Sequence, residues 1–233
     1  RHIVQQISPQ EHISPQTQFV LNEVQTADAS IAALFKNNRG MSTLLFWCCF
    51  FMCLLMVYAL GSWLPKLMMA AGYSLGNSLM FLMAMNIGAV IGTISGGILA
   101  DRFHLKPVII GMFLLGAFSL VGLGFNSPQP VIYLLVGLAG ASAIGSSILL
   151  YSFVAQYYPL TIRSTGIGCA SAVGRVGAIV GPIIIGVLLG MDLPHKMNFL
   201  AVAIPAVIGA GEVLFKKWSS FSRIKINCAA KKV

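Results

Sequence analysis

Six long apolar runs restrict the fold of this chain more than any other feature of its sequence. They cover residues 42–64, 75–100, 107–125, 130–156, 165–190 and 196–215. A helix of about 20 apolar residues crosses the hydrocarbon core of a bilayer, so each run is long enough to span one. The whole chain is 57% hydrophobic and 9% charged, whereas soluble proteins carry about 25% charged residues. The sequence therefore predicts an all-α membrane protein with six transmembrane helices.

The positive charges predict the orientation of these helices. An even number of spans places both termini on one side of the membrane. Of the 15 Lys and Arg residues, Arg175 lies inside a run, and only Lys66 and Lys196 fall on the side opposite the termini. The positive-inside rule then predicts cytoplasmic termini and a multi-pass protein of the inner membrane. We expect a cytoplasmic linker, a six-helix membrane domain and a basic cytoplasmic tail, at residues 1–40, 41–215 and 216–233.

The remaining composition argues against several classes of protein. The net charge of +9 comes from residues at the ends of the apolar runs, which is not the pattern of a nucleic-acid-binding surface. The five cysteines have no spacing typical of a metal site or a disulfide framework. The chain shows no Ser–His–Asp set, metal cluster or nucleotide-binding loop, so we expect neither an enzyme nor a bound metal or cofactor.

The fifth apolar run contains the single charge at membrane depth. Arg175 lies roughly 15 Å along the predicted helix from Thr165, near the midplane of the membrane. An arginine there costs several kcal/mol unless it faces a polar interior, and such residues are usually functional. Glycine, alanine and serine surround it, which lets neighbouring helices approach closely. The alternative is a structural arginine bonded to main-chain carbonyls at a helix break.

The apolar runs also divide into two similar units. Residues 42–126 and 129–215 each hold three runs, which fits nested inverted repeats, although the units share no convincing sequence identity. The third and sixth runs have almost no polar side chains, so we expect them to face lipid. We place the other four around a central cavity, lined by the polar side chains Tyr58, Asn86, Tyr151 and Arg175.

A charged motif ends the second run on the cytoplasmic side. Residues 97–106 read Gly-Ile-Leu-Ala-Asp-Arg-Phe-His-Leu-Lys, which resembles the G-x-x-x-D-R-x-G-R-R loop motif of the major facilitator superfamily. His104 replaces the glycine of that pattern and Leu105 replaces a basic residue. Gly97 allows close packing, and Asp101 can bond helix N-terminal amides or an arginine. We expect a gating group of Gly97, Asp101, Arg102, Lys106 and Arg163.

Two further stretches strengthen the resemblance. The first stretch consists of Leu34-Phe35, Arg39, Thr43 to Trp47, Phe50-Phe51, Tyr58 and Trp63 to Pro65. The second consists of Tyr158-Pro159, Arg163, Thr165-Gly166, Gly168, Gly174-Arg175, Gly177 and Gly181-Pro182. Together they resemble the second half of an aromatic acid:proton symporter of the major facilitator superfamily. The resemblance implies six helices of a twelve-helix fold, and a separate N-terminal half that carries the family's acidic pair.

The resemblance also implies a function, which is proton-coupled import of aromatic carboxylates or related organic anions. Arg175 then binds the carboxylate, while Tyr58, Tyr151 and Asn86 contact the substrate or only pack between helices. Asp101 and Asp192 lie at membrane edges, and Glu212 is interpreted as a surface partner of Lys216, so the coupling acid is expected in the other half. The alternatives are a transporter of sugars or organic cations, and a non-transporting membrane module.

Overall fold

The fold consists of six long helices. The computed structural model describes residues 30–125, 127–191 and 195–215, in which a short 3-10 turn, Ile31–Leu34, precedes the helices. In chain order these are α1 (Gly40–Ala70), α2 (Leu75–Phe103), α3 (Leu105–Leu123), α4 (Gln129–Tyr157), α5 (Arg163–Gly190) and α6 (His195–Phe215). All six are long and apolar enough to cross a membrane. The prediction of an all-α membrane domain with six spans is confirmed.

Five of the six helices begin and end within a few residues of their predicted limits, and α1 does not. We expected Pro65 to end the first helix, but α1 continues through Pro65 to Ala70. A proline removes one main-chain hydrogen bond, and transmembrane helices tolerate this where neighbours and local adjustments satisfy the freed carbonyl. Leu64 and Leu67, on either side of Pro65, are buried in the core and hold this part of α1 against its neighbours.

Two pairs of parallel helices form the scaffold. In the first pair, α2 packs along α4 through Gly88 and Gly92, which lie against Gly137 and Ala141. A Cβ at either α2 glycine would overlap the main chain of α4. Small residues therefore allow these two main chains to approach closely, as in other membrane helix pairs.

The second pair repeats this arrangement with different residues. Gly177 and Gly181 of α5 lie against the main-chain carbonyls of Phe51 and Leu55 of α1. In both pairs the two glycines are four residues apart. The two residues that they contact on the partner helix are also four residues apart. The contact of α5 with α1 is thus the counterpart of the contact of α2 with α4, with α5 equivalent to α2 and α1 equivalent to α4, which is the relation that nested inverted repeats require.

The helices that pack on one another can be followed around the bundle. The order is α5, α1, α6, α3, α4 and α2, with α1 and α4 also in contact across the middle. Among the described helices, only α2 and α5 lack a neighbour on one side, so an open groove lies between them with α1 and α4 as its floor. We expected α3 and α6 to face lipid, and they do lie away from this groove. They also pack closely on each other and bury half of their spans.

The segment before α1 is fixed to the end of the bundle at which α1 begins. The Thr43 hydroxyl donates to the Leu34 carbonyl at 3.0 Å and lies 2.8 Å from the hydroxyl of Tyr158, in the loop between α4 and α5. Leu34 and Tyr158 are both buried, and burial raises the pKa of the Tyr158 hydroxyl. The end of the predicted linker is therefore part of the folded domain. Residues 1–29 and the tail, 216–233, lie outside the described residues.

Candidate binding groove

Arg175 lies on the exposed face of α5, close to the middle of the span. It is about 18 Å along the helix from Arg163. Among the described residues it forms no hydrogen bond or ion pair, and its side chain is exposed. Gly174 and Gly177, on either side of it, face α1. The alternative of an arginine bonded to carbonyls at a helix break finds no support here, because α5 is continuous from Arg163 to Gly190.

Tyr151 joins the floor of the groove to the same face of α5. Its hydroxyl lies 3.2 Å from the hydroxyl of Ser171, which is one helical turn before Arg175. The Tyr151 ring also packs edge-on against Phe50 of α1, with 4.9 Å between ring centroids. Residues four apart share one face of a helix, so Arg175 lies on the side of α5 that faces α4 and the groove. The sequence analysis did not identify Ser171 or Phe50 as parts of this site.

Tyr58 lies on the floor of the groove and Asn86 on its other wall. Tyr58 is one turn beyond Leu54, whose side chain lies against Gly174, and it is 48% exposed. Asn86 is exposed on α2, and its amide donates to the Leu82 carbonyl of its own helix at 2.8 Å. Among the described helices, Asn86 therefore forms no hydrogen bond to a neighbouring helix. The four predicted site residues thus come from α1, α2, α4 and α5, the helices around the groove.

Asn86 and Arg175 occupy equivalent positions in the two units. Each precedes by two residues the glycine that meets the partner helix, Gly88 in α2 and Gly177 in α5. Both lie near the middle of their helices. The repeat therefore places one neutral amide and one guanidinium on the two walls of the groove at similar depth.

The predicted gating residues lie at the end of the bundle where α2 ends and α5 begins. Asp101 and Arg102 are exposed, and neither forms a hydrogen bond or ion pair with another described residue. No described atom lies within 4 Å of a Cβ built on Gly97, so its close packing does not occur within this domain. Lys106 donates to the Leu214 carbonyl at 3.3 Å, and Arg163 donates to the Tyr158 carbonyl at 3.4 Å.

The backbone conformation of His104 explains why the loop motif carries a glycine at this position. It joins α2 to α3 with φ 69° and ψ 145°. A positive φ of this kind favours glycine, and another residue there costs on the order of 1–3 kcal/mol. The histidine of this chain therefore adopts the backbone conformation of the motif at the cost of local strain.

Glu212 corrects an expectation from the sequence. We interpreted it as a surface partner of Lys216, but one of its carboxyl oxygens is buried and has no hydrogen-bond partner among the described residues. The Cys48 thiol of α1 lies beside the carboxyl group. Lys216 lies outside the described residues. The four-residue spacing of Glu212 and Lys216 along one helix suggested a surface pair. The position of α6 beside α1 and α4 decides the burial of the Glu212 carboxyl group instead.

The chain is similar to known transport proteins over most of its length. Relatives include a benzoate transport protein of Acinetobacter baylyi, 49% identical over 90% of this chain and 45% of that protein. A gentisate transporter of Corynebacterium glutamicum is 40% identical over 69% of this chain and 36% of that protein. A 3-(3-hydroxy-phenyl)propionate transporter of Escherichia coli is 34% identical over 91% of this chain and 52% of that protein. The chain thus spans about half the length of the curated relatives that it matches.

A family model also matches the greater part of the chain. Residues 46–221 match the model of the Major Facilitator Superfamily. This match covers α1 to α6 almost completely, and the two repeated helix pairs fit one half of that fold. The chain therefore belongs to the major facilitator superfamily.

Proposed function

We propose that this chain is the C-terminal half of a proton-coupled importer of aromatic carboxylates, acting in the inner membrane with both ends of the chain in the cytoplasm. Arg175 carries the proposal, because it is a guanidinium without a partner among the described residues, on the wall of a groove at mid-membrane depth. The names of the relatives, which include benzoate and gentisate transporters, support the same class of substrate.

The groove offers the groups that an aromatic carboxylate requires. A guanidinium can donate two parallel hydrogen bonds to a carboxylate. Tyr151 and Tyr58 are partly exposed on the floor of the groove, so aromatic surface is available for the ring of the substrate. Phe50 is buried and supports the Tyr151 ring edge-on. In the proposed complex Arg175 binds the carboxylate and the ring lies toward Tyr151 or Tyr58.

The remaining wall of the site comes from a second six-helix half. The faces of α2 and α5 that flank the groove are exposed and strongly apolar, as at Met83, Ile94, Ile179 and Ile183. In the proposed protein the N-terminal half covers these faces and supplies the family's acidic pair. Asp101 and Arg102 then contact that half in one conformation and act as a gate, which explains why they have no partner within this domain.

Uptake of radiolabelled benzoates tests the proposed substrate class. The complete protein is produced in cells and supplied with benzoate, a hydroxybenzoate, a sugar and an organic cation, with and without an inward proton gradient. We expect gradient-dependent uptake of the benzoates alone. Uptake of the sugar or the cation would favour the alternative substrate classes, and no uptake of any compound would favour a non-transporting module.

Asp101→Asn tests the gate separately from the binding groove. We expect it to slow transport far more than it weakens substrate binding, because the loop lies outside the groove and acts on the conformational change. Binding to the purified variant and its uptake rate give the two values. Equal losses in both would contradict a gating role.

A further inference from the structure

We infer that Glu212 is a proton-binding site of the transport cycle, in addition to any acid in the other half. The inference rests on the proposed function, proton-coupled import. In the conformation described here the carboxyl group is held as the neutral acid between α1, α4 and α6. It releases its proton to the cytoplasm when α1 moves relative to α6.

The surroundings of the carboxyl group are the first reason. Glu212 lines a small cavity of about 10 Å³, together with the apolar side chains Leu45, Phe46, Leu150, Phe153 and Val213 and the thiol of Cys49. Such a volume is at the lower limit for one water molecule. One carboxyl oxygen is shielded from solvent and has no hydrogen-bond partner among the described residues. An ionised carboxylate is costly in such a place, so the neutral acid fits this conformation.

Several charged and titratable groups lie near Glu212, and none of those described is a hydrogen-bond partner of its buried carboxyl oxygen. The thiol of Cys48, on α1, lies beside the carboxyl group, and the thiol of Cys49 lines the cavity. The α4 side chains of the cavity are apolar, and Tyr157 lies beyond them against Phe46. Lys106 of α3 bonds the Leu214 carbonyl, two residues away. Lys216 has no described placement, so the experiment below includes it.

The position of this cavity relative to the groove is the second reason. Cys49 lines the cavity, and the next residue, Phe50, packs on Tyr151 in the groove. Leu150 lines the cavity from α4, directly before Tyr151. The two sites therefore lie on neighbouring faces of the same segments of α1 and α4. A shift of these segments when substrate binds would change the contact between α1 and Glu212.

Transport by Glu212→Gln in proteoliposomes tests the inference. The variant keeps the shape and the neutral state of the acid and cannot release a proton. Two rates are measured for the complete protein with radiolabelled benzoate. The first is the rate of accumulation driven by a pH gradient, and the second is the rate of exchange without a gradient. We expect loss of accumulation and near-normal exchange. Normal accumulation, or equal loss of both, would overturn the inference.

Three comparisons complete the experiment. Glu212→Asp keeps an acid in a different position, so we expect accumulation with a shifted pH profile, and an unchanged profile would overturn the inference even if the glutamine variant failed to fold. Lys216→Gln should behave like the unsubstituted protein. A loss of accumulation alone in this variant would mean that an ion pair between Glu212 and Lys216 matters, and not proton release by Glu212. If the unsubstituted protein accumulates no aromatic acid under a pH gradient, the proposed function fails, whatever the variants do.

Discussion

The two parallel helix pairs, α2–α4 and α5–α1, share a backbone arrangement and differ in their chemistry. Each pair is held by two glycines four residues apart that lie on the partner's main chain. Two residues before the first of these glycines, α2 carries Asn86, which bonds within its own helix, and α5 carries Arg175, which has no partner among the described residues. The repeat thus builds the two walls alike, and side chains give only one of them a positive charge.

The helix contacts give the largest expected effect. Gly88→Val and Gly177→Val each place side-chain atoms where the partner helix has its main chain, so both should prevent stable folding. Over-packing of a well-packed core costs about 1–3 kcal/mol or more, and main chain cannot move aside as a side chain can. The amount of protein in the membrane and its melting temperature in detergent measure the effect.

Gly168→Ala is the control for these variants, because no described atom lies within 4 Å of a Cβ at this position of α5. It should fold normally. If Gly88→Val folded while Gly177→Val did not, the two pairs would not be equivalent.

The hydrogen bond between Tyr151 of α4 and Ser171 of α5 joins the two pairs. It has no counterpart between the described residues of α1 and α2, where Pro65 of α1 stands at the position equivalent to Tyr151. Tyr151→Phe and Ser171→Ala should each lower stability by about 0.5–1.5 kcal/mol, the usual net value of one hydrogen bond. The double variant should lose no more than one of the single variants, since they share one bond. Additive losses in thermal unfolding would show that the two hydroxyls do not act together.

Asn86→Ala should have the smallest effect. Its amide bonds the Leu82 carbonyl of its own helix, so the variant should change the free energy of unfolding by less than about 1 kcal/mol. We expect benzoate uptake to persist. A loss of uptake as complete as that of Arg175→Ala, in protein that reaches the membrane, would mean that both walls bind the anion.

The sequence predicted the helices well because run length and apolar composition decide which segments cross a membrane. The four residues that it proposed for the substrate lie on the helices around the groove, and their role in binding stays a prediction. The pairing of the repeats could not be read from residue identity, because the glycines of α5 meet the main chain of Phe51 and Leu55, and main chain is the same for every residue type. The sequence analysis also missed the partial burial of the Glu212 carboxyl group. That burial depends on the packing of α6 against α1 and not on the residues next to Glu212 along α6.

The role of Arg175 is most directly tested by the binding of benzoate and its uncharged analogue benzamide to the complete protein. Arg175→Lys keeps the positive charge and removes the two parallel hydrogen bonds. We predict that it weakens benzoate binding by roughly 1.5–3 kcal/mol and leaves benzamide binding unchanged. Arg175→Ala should abolish benzoate uptake in protein that still reaches the membrane. Normal benzoate binding by the lysine variant, or equal losses for both ligands, would contradict the assignment of Arg175 to the carboxylate.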